Sequence, residues 1–366
     1  MSYQQRLLRL QAVLQKADCD AIIIEEKVNL FYLTGMQLSA GKLLVHLQGA
    51  HLLVDGRYIE ACKKQSPFPV ILADPAQKCF MDLLKASPSI HSLAFDSAST
   101  SYQSYSDLQA CLNRLDKEQG TRQLKLVPME NPVKQLRSVK DSVEIALLRE
   151  AAELGTRGFE FARSLLKEGV TEVEVATELE IFWKRCGGKS LAFDPIVAFG
   201  ANSSMPHYRA GDAVLIKGDC VLIDIGVNLA HYHSDMTRVL SFGDPHPKIV
   251  EIHRVVQQAQ QKALEMCRPG TLINDLDDAA RSFIASQGYG EYFTHSLGHG
   301  VGLEIHELPL IRNIPANKGL TLQAGMVITI EPGVYLQHLG GVRIEDTVVI
   351  TADGYENLTN YSTELI

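Results

Sequence analysis

Two stretches of this chain place a carboxylate inside an apolar run that reads as a buried strand: Asp224 in Val221-Leu222-Ile223-Asp224-Ile225, and Glu331 in Val327-Ile328-Thr329-Ile330-Glu331. A lone buried carboxylate is strongly unfavourable unless it is neutralised, hydrogen-bonded or bound to a metal ion, so any fold of this chain must bring compensating groups to both acids. The two share a local pattern. Each stands six residues after a glycine, Gly218 or Gly325, and each is followed by x-Gly-Val. Further upstream, Gly169 opens a helix-like stretch reaching Gly187, and 101 residues later Gly270 opens another reaching Gly288. Downstream, Asp235-Met236-Thr237 parallels Glu345-Asp346-Thr347, an acid two residues before a threonine. Four features in one order indicate a duplicated α-β-β unit.

The duplication predicts how the acids meet. If Asn228-Leu229-Ala230-His231 closes a hairpin with a two-residue loop, Asp224 lies directly opposite Asp235 on one sheet face, with Cβ atoms roughly 4.5 to 5.5 Å apart. In the second hairpin a loop centred on His338 sets Glu331 opposite Glu345. Like charges placed opposite one another destabilise a sheet. Any one of these acids alone reads most simply as a solvent-facing hairpin residue, because charged side chains are usually exposed. All four, at matching places in a repeat and flanked by apolar residues, read as the walls of a cation site.

Histidines supply the remaining donors. His295, His299 and His306 fall within twelve residues of a segment punctuated by Gly298, Gly300 and Gly302. The glycines allow close backbone approach and disfavour a helix, so His295 and His299 are expected to share a face by strand alternation. A single histidine is more often a surface or satisfied core residue, but three so closely spaced point to a site. His207, in the turn-rich segment Phe199 to Tyr208, is a further candidate at a cleft rim. Four carboxylates and one imidazole are an oxygen-rich set that favours Mn²⁺, Co²⁺ or Fe²⁺ over a thiolate-type zinc site. Two divalent ions would balance four carboxylates and lower the pKa of a bridging water, which makes hydrolysis the expected chemistry.

The 366 residues suggest two domains at ~150 residues each. The first 130 residues alternate short apolar runs (21–24, 43–47, 52–54, 93–95) with helical spacing over 4–15 and 76–85, the pattern of a small α/β unit. The prolines of Val127-Pro128-Met129-Glu130-Asn131-Pro132 interrupt the pattern before a long amphipathic helix expected from Ser142 to Lys167. The chain is therefore read as an α/β (α+β) protein with domains 1–130 and 131–366. A formal charge of −8 argues against a general nucleic-acid or anionic-membrane binder. Seven scattered cysteines without a C-x-x-C suggest neither a disulfide framework nor a thiolate zinc site, but a reducing compartment. No apolar leader or long apolar span is legible, so a cytoplasmic location without a membrane anchor is expected.

Taken together, Val221-Leu222-Ile223-Asp224-Ile225-Gly226, Ser234-Asp235-Met236-Thr237-Arg238, His299-Gly300-Val301-Gly302-Leu303-Glu304-Ile305-His306-Glu307, Ile330-Glu331-Pro332-Gly333 and Val342-Arg343-Ile344-Glu345-Asp346 resemble the pita-bread metallopeptidases: aminopeptidase P, prolidase and methionine aminopeptidase. The resemblance covers roughly residues 138–366, and the first 130 residues resemble the creatinase-type domain of the proline-specific branch. It implies that Asp224 chelates one metal, that Asp235 and Glu345 bridge two, and that His299 and Glu331 hold the second. It also implies Glu331 as general base, His207 and His306 as hydrogen-bond partners of the scissile carbonyl or its oxyanion, and His295 and Arg343 flanking a pocket for the proline ring. Arg343 has a plainer alternative, pairing with Glu345 or Asp346. The cofactor implied is two divalent ions, foremost Mn²⁺, with Co²⁺, Fe²⁺ and Zn²⁺ as alternatives. The substrate implied is a peptide with proline second, and family habit implies a homodimer. Some prolidases of this kind carry an arginine shortly after the His-Glu-x-Pro segment, where this chain has Leu310 and its nearest arginine is Arg312. That departure favours an Xaa-Pro aminopeptidase, with the Xaa-Pro dipeptidase as the alternative. A non-catalytic peptide-binding protein and a metal-free creatinase-type hydrolase stand further off, since all five ligand positions are retained.

Overall fold

A computed structural model describes residues 1–74, 77–119 and 124–365. The chain forms two compact units, Met1–Arg137 and Ser138–Ile366. In the first, the elements run α1 (Tyr3–Lys16), β1 (Ala21–Ile24), α2 (Lys27–Thr34), β2 (Lys42–His46), β3 (Gly49–Val54), α3 (Ile59–Gln65), β4 (Val70–Leu72), α4 (Lys78–Ala86), β5 (Ser92–Asp96), α5 (Tyr102–Gln119), β6 (Lys125–Met129) and α6 (Pro132–Arg137). They build a mixed six-stranded sheet of order β4-β3-β2-β1-β5-β6. The run Ala21-Ile22-Ile23-Ile24 is buried throughout because the sheet is covered on both faces, Ala21 and Ile23 packing with Phe80, Leu84, Leu108 and Leu112 of α4 and α5. The helix expected from Ala76 starts at Lys78, and Ala76 itself lies outside the described residues.

The second unit carries the repeat. Its first half runs α7 (Ser142–Leu165), α8 (Glu172–Arg185), β7 (Ser190–Leu191), β8 (Ile196–Phe199), β9 (Cys220–Ile225), β10 (Val227–Leu229), β11 (Tyr232–His233) and β12 (Met236–Ser241). Its second half runs α9 (Pro247–Leu264), α10 (Ile273–Ser286), β13 (Gly298–Gly300), β14 (Glu307–Ile311), β15 (Val327–Ile330), β16 (Gly333–Leu336), β17 (Gly340–Arg343), β18 (Asp346–Ile350) and β19 (Tyr355–Asn357). Capping boxes at Asp141/Glu144 and Thr171/Glu174 fix the starts of α7 and α8, each satisfying two otherwise orphaned backbone N–H groups. Gly169, Gly187, Gly270 and Gly288 all take φ between +85° and +93°, a left-handed conformation open to glycine, so the matching glycines of the two halves do matching jobs at the ends of α8 and α10.

β9 lies between β8 and β12, and β15 lies between β13 and β18. Residues of β9 alternate between two cores. Val221, Ile223 and Ile225 pack with Phe159, Leu179 and Trp183 of α7 and α8, whereas Cys220 and Leu222 join Ile252, Val256 and Leu276 of α9 and α10. Asp224 continues the second series. The halves meet edge to edge where Thr237 bridges Glu345 in antiparallel fashion.

Candidate metal centre

The ladder of β9 and β12 corrects the expected register. Asp224 faces Thr237, and Asp235 lies in the gap between β11 and β12, two residues along. The loop tip is the cause: Leu229 pairs with Tyr232, so the two loop residues are Ala230 and His231, with φ of 49° and 76°. Two positive φ values match the twist of a tight hairpin. Moving the tip by one residue moves every cross-strand partner by two, which keeps both acids on one face but diagonal rather than opposed. The second ribbon has the expected register, Gly333 facing Arg343 and Val334 facing Val342 around a loop containing His338. Glu331 and Glu345 lie two residues beyond that first pair.

The acids are gathered as a cluster. Asp235, His299 and Glu345, all buried, present ligand atoms within 4.8 Å of one another. His299 Nε2 lies 3.6 Å from Asp235 Oδ2 and 3.4 Å from Glu331 Oε1. The Nδ1 of His299 is 3.0 Å from the Gly300 carbonyl, to which it donates, and this leaves the Nε2 lone pair turned toward the carboxylates. Burial, with His306 beside it, lowers the His299 pKa to about 4, so the ring is neutral, as a ligand must be. Backbone packing sets its direction: a Cβ at Gly298 would run into the Thr329 carbonyl, so only glycine lets β13 and β15 approach this closely.

Charge in the cluster is unbalanced. Burial, reinforced by Glu345, Asp224 and Glu331, pushes Asp235 well above the usual carboxylate range; burial, Glu331 and Asp224 do the same to Glu345. Burial pushes Glu331 up to about 8, against the pull of Arg343. Asp224 Oδ1 is buried without a hydrogen-bond partner among the described residues. An acceptor left bare among carboxylates that resist ionising together is the arrangement a bound cation resolves, and the oxygen-plus-imidazole donor set suits a hard or borderline divalent ion.

Supporting contacts hold the acids from behind. Thr237 Oγ1 donates to Glu345 Oε2 at 2.7 Å, and Thr347 Oγ1 donates to the Asp235 carbonyl at 2.8 Å, so each half's threonine grips the other half's acid. Arg238 Nη1 donates to the Glu345 carbonyl, and its Nη2 pairs with Asp346 at 2.6 Å. The motif threonines were visible in the sequence as part of the repeat; their grip across it was not.

Arg343 departs from the expected pairing with Glu345 or Asp346. It is 3% exposed, and its Nη2 meets Asp224 Oδ2 at 2.5 Å, while Asp346 is taken by Arg238. Its Nη1 donates to Tyr335 at 2.7 Å and its Nε to Thr237 Oγ1 at 3.2 Å. Tyr335, which nothing in the sequence singled out, in turn meets His295 Nε2 at 2.8 Å. His295 is not on a strand with His299, because β13 covers only Gly298–Gly300; its Nδ1 still comes within 3.9 Å of Glu331 Oε2. Burial lowers the His295 pKa to about 3. His306 is exposed, its ring edge-on to His299 at 4.4 Å between centroids, and desolvation together with His207 lowers its pKa. His207 is exposed as well. The two form a rim beside the buried cluster.

Comparison with known proteins places these features in context. The profile of metallopeptidase family M24 matches residues 146–352, and that of the creatinase/prolidase N-terminal domain matches residues 6–139. An Xaa-Pro dipeptidase of Pyrococcus horikoshii is 37% identical over 363 residues, 99% of each chain. Among solved structures, an Xaa-Pro dipeptidase from Bacillus anthracis superposes with a TM-score of 0.90 at 33% identity, covering 100% of this chain and 99% of that one. An X-Pro aminopeptidase from Thermotoga maritima superposes with a TM-score of 0.81 at 34% identity, covering 95% and 97%.

Proposed function

The chain belongs to metallopeptidase family M24, its first unit being of the creatinase/prolidase type, and from that premise we propose that it is an Xaa-Pro dipeptidase, hydrolysing the bond before proline in two-residue peptides. The single observation that carries the metallopeptidase reading is the buried convergence of Asp235, His299 and Glu345, from both repeats, beside Glu331 and a bare Asp224 oxygen. The dipeptide preference rests on the relatives that match the whole chain. It takes the place of the aminopeptidase preference drawn from Leu310. The aminopeptidase remains a second reading because of the Thermotoga maritima likeness and because Leu310 offers no charge to a terminal carboxylate.

Asp224, Asp235, His299, Glu331 and Glu345 would hold two divalent ions, for which manganese is our first assignment. Such ions, when bound, make a water available as hydroxide near neutral pH. Glu331 is assigned to take a proton at its carboxylate as the water attacks. His207 and His306, at the rim, are assigned to donate hydrogen bonds to the scissile carbonyl oxygen as negative charge develops on it. His295, braced by Tyr335, is assigned to the wall of the proline pocket. Arg343, which shares Tyr335 with His295, is assigned to the same wall and also to orienting Asp224. All seven cysteines are free thiols, in keeping with a reducing compartment, and no helix among the described residues is long and apolar enough to cross a membrane. We assign a cytoplasmic homodimer as the working form.

The deciding experiment incubates the protein and Mn²⁺ with Ala-Pro and with Arg-Pro-Pro and identifies the products. Turnover of Ala-Pro with little action on Arg-Pro-Pro is expected. Release of arginine from Arg-Pro-Pro without turnover of Ala-Pro overturns the dipeptidase in favour of the aminopeptidase. No turnover of either with Mn²⁺, Co²⁺, Fe²⁺ or Zn²⁺ overturns the enzyme.

A further inference from the structure

Glu172, the first residue of α8, is fully buried, yet among the described residues it belongs neither to the acid cluster nor to an ion pair. Its Oε1 accepts from the Phe199 N–H at 2.7 Å and from Asn202 Nδ2 at 3.0 Å; its Oε2 accepts from Tyr208 O–H at 2.7 Å and from the Gly211 N–H at 3.1 Å. Four donors on one carboxylate make it a hub, and all four belong to a single segment, 199–211. One pair enters where β8 ends and the other where the segment returns. His207 lies between them, exposed, one residue before Tyr208. Burial and the bond to Glu172 push the Tyr208 hydroxyl up to about 12, so it stays a donor across the physiological range.

The duplication supplies a control. The same place in the second half, the first residue of the equal-length helix α10, is Ile273, equally buried. The fold therefore accepts a plain hydrophobe at this position, and the carboxylate is there for what it holds. Burying a carboxyl group with all its acceptor sites used favours one geometry over many, since each donor left unmet inside the protein costs more than a typical hydrogen bond returns.

We propose that Glu172 is a positioning residue for His207, fixing the 199–211 segment so that the imidazole stands beside His306 at the rim of the centre. The inference rests on the reading of His207 as a substrate-binding group, and its test separates the two. Steady-state hydrolysis of Ala-Pro by the Mn²⁺-loaded full chain is measured for wild type, Glu172→Gln, His207→Ala and the double variant, with bound manganese per chain recorded for each. Glutamine keeps the size but can accept at only one atom. Glu172→Gln is expected to lower kcat/KM about 10-fold to 100-fold, the scale of misplacing a binding group by an ångström or less, with manganese content unchanged. The double variant is expected to match His207→Ala alone, because a misplaced group that has been removed cannot be misplaced again. If the two single losses multiply in the double variant, or if Glu172→Gln behaves as wild type, the positioning role is overturned while the reading of His207 stands. If His207→Ala is itself without effect, both fall. Should Glu172→Gln fail to fold, Tyr208→Phe, which removes one of the four donors, gives the same comparison: a smaller loss that disappears in the His207→Ala background supports the role, and a loss that persists there overturns it.

Discussion

Loading the acid cluster with Mn²⁺ should expel protons. A carboxyl titrating at about 8, as Glu331 does without metal, still holds its proton in roughly nine molecules of ten at pH 7. Asp235 and Glu345 are pushed the same way by burial and by one another. A carboxylate must be ionised to bind a metal, so binding at pH 7 is expected to release about one proton from Glu331, and the dissociation constant to fall about tenfold per unit rise in pH for each proton released. Calorimetric titration of the metal-free protein with Mn²⁺ in buffers of different ionisation heat counts those protons directly. The same groups govern the metal-free protein's stability. Glu331 binds its proton more tightly folded than unfolded, so its contribution is complete below the ordinary value of 4.5 and is lost as pH rises through about 8. The interval corresponds to on the order of 5 kcal/mol. Metal-free protein should thus lose thermal stability between pH 5 and 8, and Mn²⁺ should raise the melting temperature more at pH 8 than at pH 6. Heats that do not depend on the buffer, together with a metal-induced shift equal at both pH values, would refute the claim that these acids are held neutral by one another and by burial.

Two further outcomes follow from contacts described above. Thr237→Val removes the hydroxyl that holds Glu345 Oε2 and receives Arg343 Nε, and should weaken Mn²⁺ binding by about 10-fold to 100-fold, read by competition with a fluorescent chelator; an unchanged affinity would show the threonine to be a spectator. Trp183→Ala empties a site against Gly158 in the core of α7 and α8 and removes the indole N–H that donates to the Leu154 carbonyl at 3.1 Å. It should lower unfolding free energy by about 3 to 5 kcal/mol in urea melts while leaving the metal stoichiometry unchanged.

Much of the second unit was legible because its constraints are local and repeated. The positions of Gly169, Gly187, Gly270 and Gly288 announced matching helix ends, and an acid in an apolar strand announced a compensating group. Register was legible only where the loop tip was. The centre of the second loop at His338 was placed correctly, whereas nothing marks Ala230-His231 as the turn in the first hairpin, since neither residue is the Asn or Gly that usually supplies positive φ. Arg343 shows a second limit. Sequence proximity offered it Glu345 and Asp346, but β16 and β17 carry it to Asp224, more than a hundred positions away, and only the sheet geometry decides between such partners. Glu172 was missed for the same reason. An acid just after a capping threonine is ordinary helix-start chemistry, and its difference from Ile273 gains meaning only when the donors around it are seen.

The reciprocal grip of Thr237 on Glu345 and of Thr347 on Asp235 also orders events in time. A nascent chain that has reached residue 320 already holds Asp224, Asp235 and His299 but neither glutamate, and the hydroxyl of Thr237 has nothing to hold. The ion cage is complete only once the second ribbon has docked against the first, so a product that stops short of it lacks two of the five ligands as well as the strands that pack behind them.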